Sequence, residues 1–210
     1  MRILLLSKDN LWSRMAEDFL KIVFNESTIK VYKSNEKYKK IPPEILTEKG
    51  DILISFLSPW VVPDSLLKRF KLAINFHPGP PEYPGTGCYN FAIYEGSKEY
   101  GVTCHFMASK VDSGAIIRTI RFPIYPEDTP EKLQERSMIY LLRLFFEIID
   151  DLFRGKELKP SGEQWKRKPF TKKDLDNLCK IDPKIMDDNE IRRRVKATIH
   201  SNIEYGPFIE

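Results

Sequence analysis

The segment Asp51–Leu57 reads DILISFL, an almost unbroken apolar run of strand length. A strand with one wet face alternates apolar and polar residues, whereas a strand covered on both faces can be apolar throughout. The run therefore calls for a sheet with helices on both sides. Its surroundings supply that pattern. Arg2–Leu6 is a short apolar run, Leu11–Phe24 an amphipathic stretch and Ile29–Tyr32 a second strand. Beyond the buried run, Pro63–Phe70 reads as a short helix with proline near its start, and Leu72–Phe76 as a strand ending before a proline-rich turn. Repeated strand–helix units predict an α/β fold with a mainly parallel sheet. Gly101–Ala108 and Ala115–Phe122 are two strands with no helix between them, which predicts an antiparallel addition at one sheet edge.

Thr129-Pro130-Glu131 combines a cap, a proline at the first helical position and an acid in the first turn. The helix it starts runs to about Phe153, and Gly155 suits its end. Residues 1–158 are thus expected to form the core. From Pro160 the chain turns polar and lysine-rich, becomes helical again over Asp187–His200 and ends extended. Residues 159–210 hold few large apolar side chains, so they are expected to pack on the core as a C-terminal extension.

The 210 residues are 41% hydrophobic and 30% charged, which excludes wholesale disorder and permits a substantial single core. No apolar run approaches the ~20 residues of a membrane span, and Ile3–Leu6 is shorter than the roughly 7–15 residues of a signal-peptide core. Three cysteines (Cys88, Cys104 and Cys179) form no C-x-x-C pair, so neither a disulfide framework nor a cysteine zinc site is expected, and a reducing cytoplasm is the default. The net charge of +4 suits an anionic small substrate. With Arg192-Arg193-Arg194 as its longest basic block, the chain lacks the footprint of a nucleic-acid binder. The first strand is followed by Ser7-Lys8-Asp9-Asn10-Leu11-Trp12, without the G-x-G-x-x-G turn of a nicotinamide-dependent oxidoreductase.

The chemistry concentrates in Asn75-Phe76-His77-Pro78-Gly79-Pro80-Pro81-Glu82-Tyr83-Pro84-Gly85. Residues two apart on a strand point to the same side, so Asn75 and His77 project together from a strand's carboxyl end. In open α/β sheets, that edge is where ligands bind. The prolines and glycines that follow make a stiff, non-repetitive loop. A lone histidine at a strand end is more often a satisfied core group, but the paired amide and the rigid loop favour a site. Further on, Asp112 precedes Ser113-Gly114, which alone reads as a turn.

Taken together, N-x-H, the proline-rich loop, Gly101-Val102-Thr103-Cys104-His105-Phe106-Met107 and Asp112-Ser113-Gly114 resemble the 10-formyltetrahydrofolate-dependent formyltransferases. The resemblance is densest over residues 75–118. It implies a Rossmann-like formyltransferase fold and a transferase that uses N10-formyltetrahydrofolate without a metal. Its catalytic asparagine, histidine and aspartate carry over to Asn75, His77 and Asp112. The pterin would lie between Phe56, Leu57 and Ser58 on one side and the segment containing Ala108, Lys110 and Val111 on the other. Phe56 and Leu57 read equally well as core.

Three branches of the family differ in the amine they formylate. Methionyl-tRNA formyltransferases carry a second, C-terminal domain for which this chain is too short. Glycinamide ribonucleotide formyltransferases carry a glycine-rich phosphate loop after the first strand, absent here, and S-L-L-P after the histidine where this chain has Pro78-Gly79-Pro80-Pro81. The loop HPGPPEYPGTG and the ending Arg192-Arg193-Arg194-Val195-Lys196-Ala197-Thr198 resemble the sugar N-formyltransferases, whose acceptors are nucleotide-linked amino sugars. The resemblance implies a place in polysaccharide biosynthesis. Trp12, Tyr83, Tyr89 and Asn90 are candidates for the acceptor pocket. The arginine cluster is either a solvated helix face or a contact to a diphosphate or a partner subunit. A homodimer is the default assembly. The alternatives are a formyltransferase for glycinamide ribonucleotide or another small amine, and a formyltransferase-like protein that binds its ligand without catalysis.

Overall fold

The computed structural model describes residues 1–35, 40–201 and 206–209. Its six-stranded sheet runs in the order β2-β1-β3-β4-β5-β6, formed by Arg2–Lys8 (β1), Thr28–Ser34 (β2), Gly50–Phe56 (β3), Phe70–His77 (β4), Glu99–Phe106 (β5) and Ile116–Pro123 (β6). The first four strands are parallel, and the last two form the antiparallel addition expected at one edge.

The apolar run of β3 has the double burial its composition calls for. Ile52, Ile54 and Phe56 face a large core with Ile3, Leu5 and the aromatic side of Pro130–Phe153 (α4). Leu53 faces a second core with Leu4, Leu6, Ile45, Trp60 and Leu66. The first core is closed by Leu11–Val23 (α1), which packs on α4 through Phe19 and Phe146, with ring centroids 4.2 Å apart. The second is covered by a 3-10 turn at Pro43–Thr47 and by Asp64–Leu67 (α2). That helix is a single turn, shorter than the Pro63–Phe70 expected, because Phe70 already starts β4 and ladders with Gly50.

Thr129 caps α4 as its sequence signature predicts, accepting from the Lys132 amide. Cys88–Tyr94 (α3) lies between the proline loop and the C-terminal residues. Residues beyond 158 hold a helix that the sequence reading did not anticipate, Lys172–Cys179 (α5). They also hold Asp188–Thr198 (α6), and the short strands Lys180–Ile181 (β7) and Phe208–Ile209 (β8) pair in parallel. They contact the rest of the chain at several points. Asn90 on α3 donates to the Ala197 carbonyl (2.8 Å), and Phe170 stacks on Phe91 with centroids 3.7 Å apart. Among the described residues, no helix is long and apolar enough to cross a membrane.

Candidate active site

The chain order reverses its direction across the sheet between β1 and β3, and a cleft opens at the carboxyl ends of β3 and β4. The carboxyl ends of parallel strands are where such a sheet takes ligands, and this cleft is lined from β3 and β4, one strand beyond the β1–β3 reversal. The cleft holds about 500 Å³ and is lined by Asn75, His77, His105 and Asp112 at its polar end.

Strand pairing assembles these four groups. Asn75 at the end of β4 lies directly opposite His105 on β5, and Asn75 Nδ2 is 3.1 Å from His105 Nε2. Two residues on, His77 Nδ1 stands 3.2 Å from Asp112 Oδ2, while Asp112 Oδ1 stands 3.3 Å from His105 Nε2. The outer ring nitrogens are committed to main-chain carbonyls. His77 Nε2 donates to Tyr83 O (3.1 Å), and His105 Nδ1 donates to Phe106 O (2.8 Å). A carbonyl can only accept, so these two nitrogens carry hydrogens. His77 Nδ1 and His105 Nε2 are thereby both turned toward one carboxylate.

The proline loop supplies two further contacts. Its Tyr83 carbonyl orients His77, and its Gly85 amide donates to Asp112 Oδ2 (2.8 Å). The loop is pinned in turn by Thr103, whose hydroxyl donates to Gly79 O (2.8 Å), and by the Tyr100 hydroxyl on Pro78 O (3.2 Å). Asp112 takes a left-handed conformation, φ 43°, which aspartate tolerates better than most residues and which costs about 1–3 kcal/mol. Burial alone would raise its carboxyl pKa. The charge of His77, the hydrogen bond and charge of His105, and the Gly85 amide outweigh that effect and hold it well below the usual carboxylate range. The site therefore keeps a buried anion between two imidazoles.

Several residues singled out in the sequence fall on the cleft walls: Leu57, Ser58, Ala108, Lys110 and Val111. Leu57 also has a left-handed backbone, φ 57°. Phe56 does not line the cleft. It is fully buried and packs against Phe76 and Phe145, because the last residue of β3 points into the core. The four acceptor candidates are likewise taken up elsewhere. Trp12 packs against the main core. Tyr83 is buried, with its hydroxyl on Glu95 (3.0 Å), and burial pushes its phenol up to about 12. Tyr89 packs on Tyr100, and Asn90 is tied to Ala197. Of the arginine cluster, Arg194 donates to the carbonyls of Asn177 (2.7 Å) and Lys180 (3.1 Å), and Arg193 lies over the Tyr94 ring. Cys88 is packing, its thiol pushed up to about 12 by burial.

His105 sits inside the G-V-T-C-H-F-M motif with no local sign of a role, because only the β4–β5 register puts it opposite Asn75. Trp165 and the cleft-lining Pro169, Phe170 and Thr171 were missed because they come from the polar extension, with no local signal of a site.

The chain is similar to known proteins in sequence and in fold. The curated sequences it matches include methionyl-tRNA formyltransferase from Listeria monocytogenes, 31% identical over 115 residues, covering 54% of this chain and 37% of that protein. Phosphoribosylglycinamide formyltransferase from Haemophilus influenzae is 42% identical over 65 residues, covering 30% of this chain and 31% of that protein. The matches thus span well under half of these relatives. Among solved structures, a sugar N-formyltransferase from a Shewanella species superposes with a TM-score of 0.80 at 22% identity, covering 98% of this chain and 91% of that one. An N-formyltransferase from Helicobacter canadensis, solved with folinic acid and dTDP-3-aminofucose, gives 0.75 at 20% identity, covering 99% and 84%. The formyl transferase family profile matches residues 7–140, the span that carries β2 to β6, the N-x-H strand and the Asp112 turn, and the chain belongs to that family.

Proposed function

We propose that this protein is an N-formyltransferase that moves a formyl group from N10-formyltetrahydrofolate to the amine of a nucleotide-linked amino sugar. The observation that carries the reading is the Asn75, His105, Asp112 and His77 cluster at the polar end of the cleft. The remaining walls fit a flat heterocycle. Leu57, Trp60, Val61, Met107 and Val111 offer apolar surface, with Ser58 and Ser109 as small polar partners, in a volume typical of small-molecule sites.

When bound, the folate supplies a formyl group, and the transfer forms a carbon–nitrogen bond to the amine while the bond to N10 breaks. Asn75 holds its amide N–H toward the developing oxyanion, a donor that is more useful in a dry site than in water. In its uncharged form, with the hydrogen on Nε2 and held by Tyr83 O, His77 offers Nδ1 to take the proton that the attacking amine sheds and to return it to the departing nitrogen. Asp112 balances the charge on the imidazole while that proton is held. The proline loop keeps His77 in register through Tyr83 O, so the geometry exists before substrate arrives.

The choice of acceptor rests on two supports. The likeness to sugar N-formyltransferases extends over nearly the whole chain. The first turn of α1 also lacks a glycine-rich phosphate loop, and the Asn10 side chain already takes its Ser13 amide at 2.8 Å. The three free cysteines fit a reducing cytoplasm. The test is tetrahydrofolate release with dTDP-, GDP- and UDP-linked amino sugars and glycinamide ribonucleotide as acceptors. Release with a nucleotide sugar supports the reading, and release with the ribonucleotide alone overturns the choice of acceptor. A protein that binds folate and releases nothing with any of these acceptors either formylates another amine or has kept the fold and lost the reaction.

A further inference from the structure

We propose that Trp165 is a positioning residue for Asp112, delivered to the active site by a strap that lies outside the family-matched segment. The proposal rests on the formyl-transfer reading above.

The strap runs from Ser161 to Thr171, polar in sequence yet fastened at both ends to the site's scaffold. At one end, the Ser161 amide donates to Ile116 O (2.7 Å) on β6. At the other, Phe170 exchanges main-chain hydrogen bonds with the proline loop, its amide on Pro84 O and its carbonyl accepting from Thr86 (both 2.9 Å). Arg121 pairs with Glu163 of the strap and Glu82 of the loop together.

Between these anchors, the Trp165 indole N–H donates to Gly114 O at 2.8 Å. Gly114 is two residues past the left-handed Asp112, and a Cβ there would overlap the Phe106 carbonyl. The turn that aims the Asp112 carboxylate is thus trapped between the end of β5 and one indole N–H. The ring completes the arrangement, standing edge-on to His105 (5.1 Å between centroids, 87°) and to His77 (6.0 Å, 71°). It covers the two imidazoles that share the carboxylate. Removing the N–H takes away the support on the Gly114 side and leaves the carboxylate held by the Gly85 amide and the turn's own bonds, and a carboxylate displaced by a fraction of an ångström no longer balances His77 in the transition state.

The experiment is Trp165→Phe, made alone and in an Asp112→Asn background, with steady-state kinetics and thermal melting. An isostere with benzothiophene in place of indole at position 165 keeps the ring volume, loses the N–H, and decides the matter should Trp165→Phe fail to fold. The expected result is a kcat lower by about 10- to 100-fold with both KM values within about threefold. In the Asp112→Asn background, the same change costs less than about threefold more, because the two residues act through one another. Wild-type kcat in the variant, the same factor lost in both backgrounds, or a loss confined to KM or melting temperature overturns the proposal. A wild-type protein that releases no tetrahydrofolate with any acceptor overturns the formyl-transfer reading, and this proposal with it.

Discussion

His77 Nδ1 and Asp112 Oδ2 stand 3.2 Å apart, both side chains about 5% exposed, with the opposite ring nitrogen of His77 tied to Tyr83 O. One imidazole nitrogen is thereby fixed as a donor to the main chain, and the other is left to exchange its proton beside a carboxylate. Asp112→Asn keeps the shape and removes the charge. Its expected effect is a fall in turnover of about 10²- to 10⁴-fold, the range for loss of acid–base function. Folate affinity, read by a binding titration, should change by less than about threefold, since the charge acts on the transition state.

Asp112 also makes stability depend on pH. Its carboxyl is held below the usual range in the folded state, so the unfolded chain binds the proton more readily. The stabilisation is fully present above the ordinary carboxylate pKa of about 3.9 and is lost as pH falls below it toward the depressed folded value. Urea unfolding should show the stability advantage of wild type over Asp112→Asn shrinking as pH falls below about pH 4. A difference that grows on acidification would contradict the assignment of an ionised Asp112.

Gly79 tests the proline loop. A Cβ there would stand 2.6 Å from His77 Nε2 and 2.9 Å from Tyr83 O, between the partners of the bond that orients His77. Gly79→Ala should therefore destabilise by about 1–3 kcal/mol, as overpacking does. It should also lower kcat more than about tenfold, because His77 must turn away from its register. Stability lost without turnover would show that the Tyr83 contact does not set the imidazole.

Asn90 separates two readings of α3. Its amide is spent on Ala197 O, joining α3 to α6. Asn90→Ala should cost about 1 kcal/mol in chemical denaturation, the usual net worth of such a bond. The KM for the acceptor should not change. A raised acceptor KM with unchanged stability would return Asn90 to the acceptor pocket.

The sequence disclosed most where one local rule decided the outcome. The unbroken DILISFL run reads as a strand covered twice and Thr129-Pro130 as a helix start, and β3 and α4 stand where those signals place them. Asn75 and His77 were legible as a pair because strand geometry alone sends them to one side. Helix α5 carried a readable signal that was passed over, the capping box from Thr171 to Asp174, hidden in a segment too polar to show an apolar stripe. Phe56 was misplaced because a strand's last residue can face core or cleft, and periodicity alone does not say which. His105 and Trp165 were not readable as site residues at all. The first needs the register of β4 against β5, and the second depends on a contact to Gly114 across 51 residues of sequence.

The central claim is that the cluster around Asp112 transfers a formyl group to an amino sugar. Its most direct test is tetrahydrofolate release from N10-formyltetrahydrofolate, followed spectroscopically with each nucleotide-linked amino sugar in turn and with glycinamide ribonucleotide as the rival acceptor. The account predicts release that depends on one of the nucleotide sugars, produces its N-formyl derivative in equal amount and collapses in Asp112→Asn. Release that is the same with and without acceptor, or that survives intact in Asp112→Asn, would contradict it.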